Sequence, residues 1–228
     1  MTSRSKRYKS DLERRTTSEP VSIEEGVGIL KAFQGAKFDE TVDIAIRTGI
    51  DSRQANQAIR GSYSLPHGIG KSVRVIAFCE GDIAAAATEA GAIEAGGEEL
   101  AKRIEGGWLD FDVAIAHPAS MRYVGKLGRV LGPQGKMPAP KSGTVTPDVA
   151  TAVKEFVAGK IEFRNDAYGI IHAPMGKKSF SKEQLSENIH AFIDHITAMK
   201  PVAAKGIFMK SVFIKSTMSP SVPLAVSA

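Results

Sequence analysis

Ser72-Val73-Arg74-Val75-Ile76-Ala77-Phe78-Cys79 is a buried-strand run, and its sequel decides the architecture of the middle of the chain. An alanine-rich helical stretch follows over 82–90. A short strand over 92–95, a helix over 97–104 and a second continuous apolar strand over 111–116 come next, the last ended by His117-Pro118. Short strands alternating with helices predict parallel pairing with helices on both faces. The middle of the chain therefore reads as a small α/β domain.

The flanks have a different texture. Ser22-Ile23-Glu24-Glu25 has capping-box spacing, with Val27, Leu30 and Phe33 behind it at helical intervals. Residues 41–47 alternate with period two as a half-buried strand should, and Asp51 is placed to cap a short helix through 59. Residues 61–70 are rich in turn formers and suit a crossing between domains. At the end of the middle stretch, 128–145 reads as a long irregular loop, and Thr146-Pro147-Asp148, with threonine as the capping residue, opens a helix that Gly159 ends. Residues 161–164 and 170–173 around the turn 165–169 predict a hairpin. Ser181 and Gln184 form a second capping box, with Leu185, Ile189, Phe192, Ile193 and Ile196 on one helical face, and 206–217 alternates as a last strand. The two outer segments thus supply an α+β set able to form one open-faced sheet with helices behind it. The middle domain is then an insertion into that lobe. Residues 1–20 read as a mobile basic arm, and the tail from Ser219 as irregular.

Composition bounds the function. The chain has 228 residues, 43% of them hydrophobic and 24% charged, enough to build a core. Its longest apolar runs are too short to cross a bilayer, and no apolar stretch follows the basic N-terminus to make a secretory signal. Asp11 and Glu13 argue against a transit peptide, so a cytoplasmic location is expected. The formal charge of +5 is uneven: residues 1–67 and 151–228 together carry +6, residues 68–150 carry −1. One lobe is basic, the other nearly neutral, which hints at a polyanionic partner.

Chemistry is sparse. The single cysteine, Cys79, excludes an intrachain disulfide and zinc sites of paired cysteines, and its apolar setting reads as a small buried thiol. Five histidines offer no metal set; His190 and His195 share a helix but point apart, and His67 and His117 neighbour prolines. Gly70-Lys71-Ser72 ends like a phosphate-binding loop, yet Leu65 stands where that pattern needs glycine and a strand follows where it needs a helix. A nucleotide-dependent α/β enzyme built on it is the rival reading, and a generic basic RNA chaperone is a third. The Pro- and Gly-rich loop with Arg129, Lys136 and Lys141 fits either a phosphate contact or a stiff connection. Cations, short polar groups and an occasional aromatic around Lys37-Phe38, Arg164-Asn165-Asp166, Lys177-Lys178 and 210–218 fit either an RNA surface or a solvated sheet rim.

Six motifs, in order, resemble one family. They are Lys37-Phe38-Asp39-Glu40-Thr41-Val42, Arg60-Gly61 with Leu65-Pro66-His67-Gly68-Ile69-Gly70-Lys71, Gly128-Arg129-Val130-Leu131-Gly132-Pro133 with Pro138, Pro140-Lys141 and Gly143-Thr144-Val145, Ile161-Glu162-Phe163-Arg164-Asn165-Asp166, Gly176-Lys177 with Phe180, and Thr217-Met218. The chain resembles the ribosomal protein L-one family in its bacterial form, over nearly everything beyond the arm. The resemblance implies a split β-α-β open-faced sheet domain from both chain ends (21–67 plus 160–228) after the arm 1–20. An inserted three-layer α/β/α Rossmann-like domain (68–159), without a nucleotide or other cofactor, completes that expectation.

It also implies a role in the large ribosomal subunit: binding the stalk region of its RNA near the exit site, and assisting release of deacylated transfer RNA. Repression of the chain's own operon through its messenger is implied as well, with no catalysis, no metal, no membrane partner, and a monomer when free. The implied RNA-binding residues are Lys37, Phe38, Thr41, Arg53, Arg164, Asp166, His172, Ser211, Thr217 and Met218. Secondary contacts come from Arg129, Gly132, Lys136 and Lys141. Lys37, Arg53 and Arg164 are expected to neutralise phosphates, Ser211, Thr217 and the backbone near Met218 to bond riboses, and Phe38 to pack on a sugar or base. Asp166 is expected to accept from a 2′-hydroxyl or to orient Arg164. Ser219 departs from the family's glycine, and would be strained if that position needs positive φ.

Overall fold

The computed structural model describes residues 4–15, 19–54 and 56–225. In chain order the first elements are α1 (Lys6–Arg14), α2 (Ile23–Ala32), β1 (Thr41–Thr48), β2 (Arg60–Ser64), β3 (Val75–Phe78), α3 (Asp82–Glu89), β4 (Glu94–Gly96), α4 (Glu98–Glu105) and β5 (Val113–Ala116). The rest are α5 (Met121–Val124), α6 (Gly128–Leu131), α7 (Val149–Val157), β6 (Lys160–Arg164), β7 (Ile170–Lys177), α8 (Lys182–Ala198), β8 (Met209–Ser216) and β9 (Val222–Leu224). They divide into two units: the chain up to Gly70 with everything from Ile161 onward, and Lys71–Lys160.

In the first unit, β1 alternates as its sequence predicts. Val42, Ile44 and Ile46 are fully buried while Arg47 is exposed. It pairs antiparallel with β7 on one side and β8 on the other, giving a sheet in the order β7-β1-β8-β9. The inward face packs against α2 and α8 through Val27, Leu30, Leu185, Ile189 and Phe192 in one core. Both helices start at capping boxes: Ser22 Oγ accepts the Glu25 N–H at 3.3 Å, and Ser181 Oγ accepts the Gln184 N–H at 3.2 Å, with the return bonds present. The outward face is open, with Arg47, His172 and Lys215 exposed on it. β2 and β6 form a separate two-stranded sheet, bridged by Arg60 and Glu162 at 2.6 Å.

The second unit is a parallel three-stranded sheet in the order β4-β3-β5. Successive β3 side chains point to opposite faces, and each face has its own core. Val75, Ala77 and Cys79 pack with Ala87 of α3 and Val153 and Phe156 of α7. Ile76 and Phe78 pack with Leu100 and Ile104 of α4, Val124 of α5 and Leu131 of α6.

Several expectations need correction. The arm is no irregular segment where it is described: Ser5 caps α1, and the helix is fastened by its own side chains. Asp11, buried at 1% exposure, accepts the Gln34 N–H at 2.7 Å, and Arg15 donates to the Ser221 carbonyl at 3.1 Å. Residues 1–3 and 16–18 of that arm lie outside the described residues. The described part of 51–58 forms turns in place of a helix, because its polar run offers no apolar face and Asp51 spends its carboxylate on the Arg53 N–H at 3.1 Å. Residues 61–64, read as part of a crossing, belong to β2.

The expected hairpin of β6 and β7 does not exist. β6 pairs with β2 and β7 with β1, and between them only Asn165 and Ile171 make a bridge. Asn165 Oδ1 accepts the Ile59 N–H at 2.8 Å, which holds the end of β6 to the β2 side. Residues 128–145 are less irregular than expected, with α6 at their start and a buried Ser142–Thr144 contact of 3.1 Å at their end. The cap of α7 is Asp148, not Thr146. Finally, Val222–Leu224 of the tail form β9 on the sheet edge, while residues 226–228 of it lie outside the described residues.

Candidate nucleic-acid interface

At the Thr41 end of β1, five of the expected residues come together. Lys37 and Phe38 lie on the loop entering β1, and Phe38 is 55% exposed. Thr217 and Met218 lie on the turn leaving β8, and Met218 is 50% exposed. The Thr41 N–H donates to Thr217 Oγ1 at 3.1 Å, and the Thr217 hydroxyl points back to the Thr41 carbonyl at 3.4 Å. The Thr217 side chain thus extends the β1–β8 ladder by one rung.

Beneath this cluster sits Glu40, 2% exposed, whose role the sequence reading missed. Its carboxylate accepts from the Ser216 hydroxyl, from the Ala36 N–H and, at 3.3 Å, from the Met218 N–H. Burial acts to raise its pKa, but the bonds from Ser216, Ala36 and Met218 and the charge of Lys178 outweigh it, and the net shift is downward. A signal was present. Even-numbered positions of β1 face inward, so an acid at 40 needed partners. Asp39 and Lys177 also brace the cluster: Asp39 accepts from the Ser179 hydroxyl at 2.8 Å, and Lys177 Nζ donates to Thr41 Oγ1 at 2.9 Å.

The other half of the set lies toward the Thr48 end. Arg164, Asp166 and His172 line one shallow depression, while Ser211 stands opposite Arg47 in the β1–β8 register. Asp166 Oδ1 accepts the N–H groups of Tyr168 and Ile170, each at 2.8 Å, and Oδ2 stands 3.9 Å from His172 Nε2. Its carboxylate shapes the turn, a role the residue pattern did not disclose. Arg53 projects from the turn 51–54, which Ser52 ties to the Ala167 carbonyl. Lys37, Arg53 and Arg164 are exposed, and among the described residues none takes part in an ion pair.

Ser219 bears no strain, since among the described residues only glycines have positive φ. Its hydroxyl accepts the Ser216 N–H at 2.9 Å, which tightens the turn carrying Thr217 and Met218. Replacing Ser219 with glycine should therefore lower stability by about 1 kcal/mol, through a lost hydrogen bond and a freer unfolded backbone. Equilibrium urea unfolding checks this, and a stabilised variant would mean that the turn was strained after all.

In the second unit, Arg129, Gly132 and Lys141 are exposed, but Lys136 is committed inward. Its Nζ donates to the Leu109 carbonyl at 3.0 Å and lies 4.8 Å from the centre of the Phe111 ring. Gly70-Lys71-Ser72 makes no phosphate cradle: Lys71 pairs with Asp112 at 3.2 Å, and β3 follows in place of a helix. Burial pushes the Cys79 thiol up, away from a reactive thiolate. Among the described residues no group of three His, Cys, Asp or Glu is placed to hold a metal, and no helix is long and apolar enough to cross a membrane.

Fold and site together define a mixed α/β protein with several sheets, one of which exposes a face whose ends carry cations and hydroxyls. Residues 30–220 match the profile of the Ribosomal protein L1p/L10e family. A large ribosomal subunit protein uL1 of Nitratidesulfovibrio vulgaris is 50% identical over 215 residues, covering 94% of this chain and 92% of that protein. The uL1 proteins of Saccharophagus degradans and Kosmotoga olearia are 51% and 48% identical, each over 98% of this chain and 97% of their own lengths. The chain belongs to the ribosomal protein L1 family.

Proposed function

We propose that this chain is a structural constituent of the large ribosomal subunit and binds the stalk region of its RNA near the exit site. In this reading the sheet-bearing unit is the RNA-binding domain and the parallel-sheet unit an inserted Rossmann-like domain that adds contacts through Arg129, Gly132 and Lys141. The protein assists release of deacylated transfer RNA, represses its own operon by binding its messenger, and acts by binding and not by catalysis. It works on ribosomes in the cytoplasm and is a monomer when free. The observation that carries the reading is that Lys37, Arg53 and Arg164 are exposed and, among the described residues, form no ion pair, around an open sheet whose rim also offers Thr41, Ser211 and Met218. Cations fix phosphates, while hydroxyls and backbone amides read riboses.

Equilibrium binding to a stalk-RNA fragment and to a scrambled hairpin of equal length, over a salt series, tests it. Nonspecific binding collapses with salt as counterions return. The stalk fragment should keep tight binding at moderate salt while the control falls away; coincident curves would overturn the reading. Lys71→Ala should leave stalk binding unchanged, whereas a nucleotide site lost in that variant would favour the rival enzyme.

A further inference from the structure

The bonds of α1 run to the chain on either side of the Thr41-end cluster. Asp11 accepts the Gln34 N–H at 2.7 Å and Arg14 donates to the Ala32 carbonyl at 3.3 Å, on the segment that leads to Lys37 and Phe38. Arg15 donates to the Ser221 carbonyl at 3.1 Å, just past the turn that carries Thr217 and Met218. Charged side chains tie the first segment at three places in succession. Lys178 Nζ donates to the Phe33 carbonyl at 2.8 Å, Asp11 accepts from Gln34, and Glu40 accepts from the Ala36 N–H. Lys178 and Glu40 adjoin β7 and β1, strands of the sheet; Asp11 comes from a helix outside the core.

That helix is lightly held. Among the described residues no side chain of α1 packs in a hydrophobic core: Leu12 is exposed and Tyr8 only half-buried. Asp11 is its one buried side chain, and among the described residues Oδ2 of that carboxylate has no hydrogen-bond partner. Hiding an oxygen without a donor opposes docking, and a helix of nine residues is marginal by itself in water. Docked and undocked forms therefore lie close in free energy, and the polar bonds to Ala32, Gln34 and Ser221 decide between them.

We infer that α1 is a strap and Asp11 a positioning residue: docking fixes the segment that presents Lys37 and Phe38, so helix docking and RNA binding strengthen each other. This rests on the RNA-binding reading above. Linkage is reciprocal, so an RNA that needs those two side chains in place must draw the helix down. The sign at Asp11 separates positioning from plain electrostatics. If charge alone acts, removing an acid should tighten the grip on a polyanion; if α1 positions the segment, the same change should weaken it.

The test uses the full chain, its Asp11→Ala and Asp11→Asn variants, and a double variant with Lys6→Ala and Lys9→Ala. The probes are the stalk-RNA fragment and the scrambled hairpin over a salt series. Asp11→Ala should weaken stalk binding about fivefold, the low end of coupling between sites, and bind the hairpin no worse. Asp11→Asn keeps an oxygen to accept from Gln34 and should recover most of the loss. The double variant should leave the salt slope of stalk binding unchanged. Hydrogen exchange reads the strap itself: stalk RNA should slow the Gln34 amide and the amides of α1 in the wild type, and do neither in Asp11→Ala. If Asp11→Ala tightens stalk binding while the lysine variant flattens the salt slope, α1 is a direct phosphate contact and the inference falls. It falls equally if Asp11→Ala loses affinity while exchange in wild-type α1 ignores the RNA, which marks a merely structural defect. A wild type that separates stalk from hairpin, with Asp11→Ala unchanged on both, overturns the strap alone; a wild type that separates neither overturns the RNA reading itself.

Discussion

Glu40→Ala should lower the unfolding free energy by about 3 kcal/mol, because a buried carboxylate with three donors is removed and the donors are left without partners. The same change should loosen both halves of the Thr41-end cluster. Ala36 precedes Lys37 and Phe38, Met218 belongs to the opposing turn, and the Glu40 carboxylate is what both backbones bond. Stalk-RNA affinity should therefore fall well beyond what any single exposed side chain of the cluster contributes. Glu40→Gln separates charge from shape: it keeps an acceptor oxygen but puts an N–H₂ among donors.

The pH dependence has a definite sign. The folded-state pKa of Glu40 lies below the ordinary glutamate value of 4.5, so its contribution is fully present above 4.5 and is lost as pH falls through the lower folded value. The stability gap between wild type and Glu40→Gln should shrink steadily below pH 4.5, and a gap that widens there would contradict the assignment. Urea unfolding over that range, with RNA binding at neutral pH, checks both claims.

The core of this fold was legible in the sequence wherever periodicity was unopposed. The capping boxes at Ser22 and Ser181 and the alternation of β1 each name one element and one face, and the structure has all of them. What was not legible is what depends on pairing at a distance. Residues 161–164 and 170–173 look like a hairpin because the turn between them is good; that β6 joins β2 is decided by Asn165 reaching Ile59, over a hundred residues away. α1 was hidden for the same reason: its composition is that of a solvated arm, and only its bonds to Gln34, Ala32 and Ser221 hold it on the sheet-bearing unit. At the site, side-chain types at the surface were readable as cations and hydroxyls. Of the groups that hold them in place, Glu40 read only as one letter of a motif and Asp166 as a partner for a 2′-hydroxyl or for Arg164; neither showed its structural part until the backbone N–H groups they accept from were known.

Phe78→Ala should destabilise the parallel-sheet unit by about 4 kcal/mol, since it empties a fully buried aromatic from a packed core. That is a large share of the ~5–15 kcal/mol that holds a domain together. Because the cores on the two faces of β3 contain no described residue of the sheet-bearing unit, the loss should stay local. Calorimetry should then resolve a low-temperature transition absent from the wild type, while stalk-RNA affinity drops only by the secondary contacts proposed for Arg129, Gly132 and Lys141. Phe192→Ala is the matched control. Phe192 is also fully buried, but in the sheet-bearing unit, with its ring 5.3 Å from that of Phe163 in an edge-to-face pair. It should cost a similar amount and abolish RNA binding at temperatures where Phe78→Ala still binds. The contrast is decisive because both variants remove the same side chain from equally dry cores. If Phe78→Ala loses RNA as completely as Phe192→Ala, the binding energy is not confined to the sheet face, and Arg129 and Lys141 must carry a primary share of it.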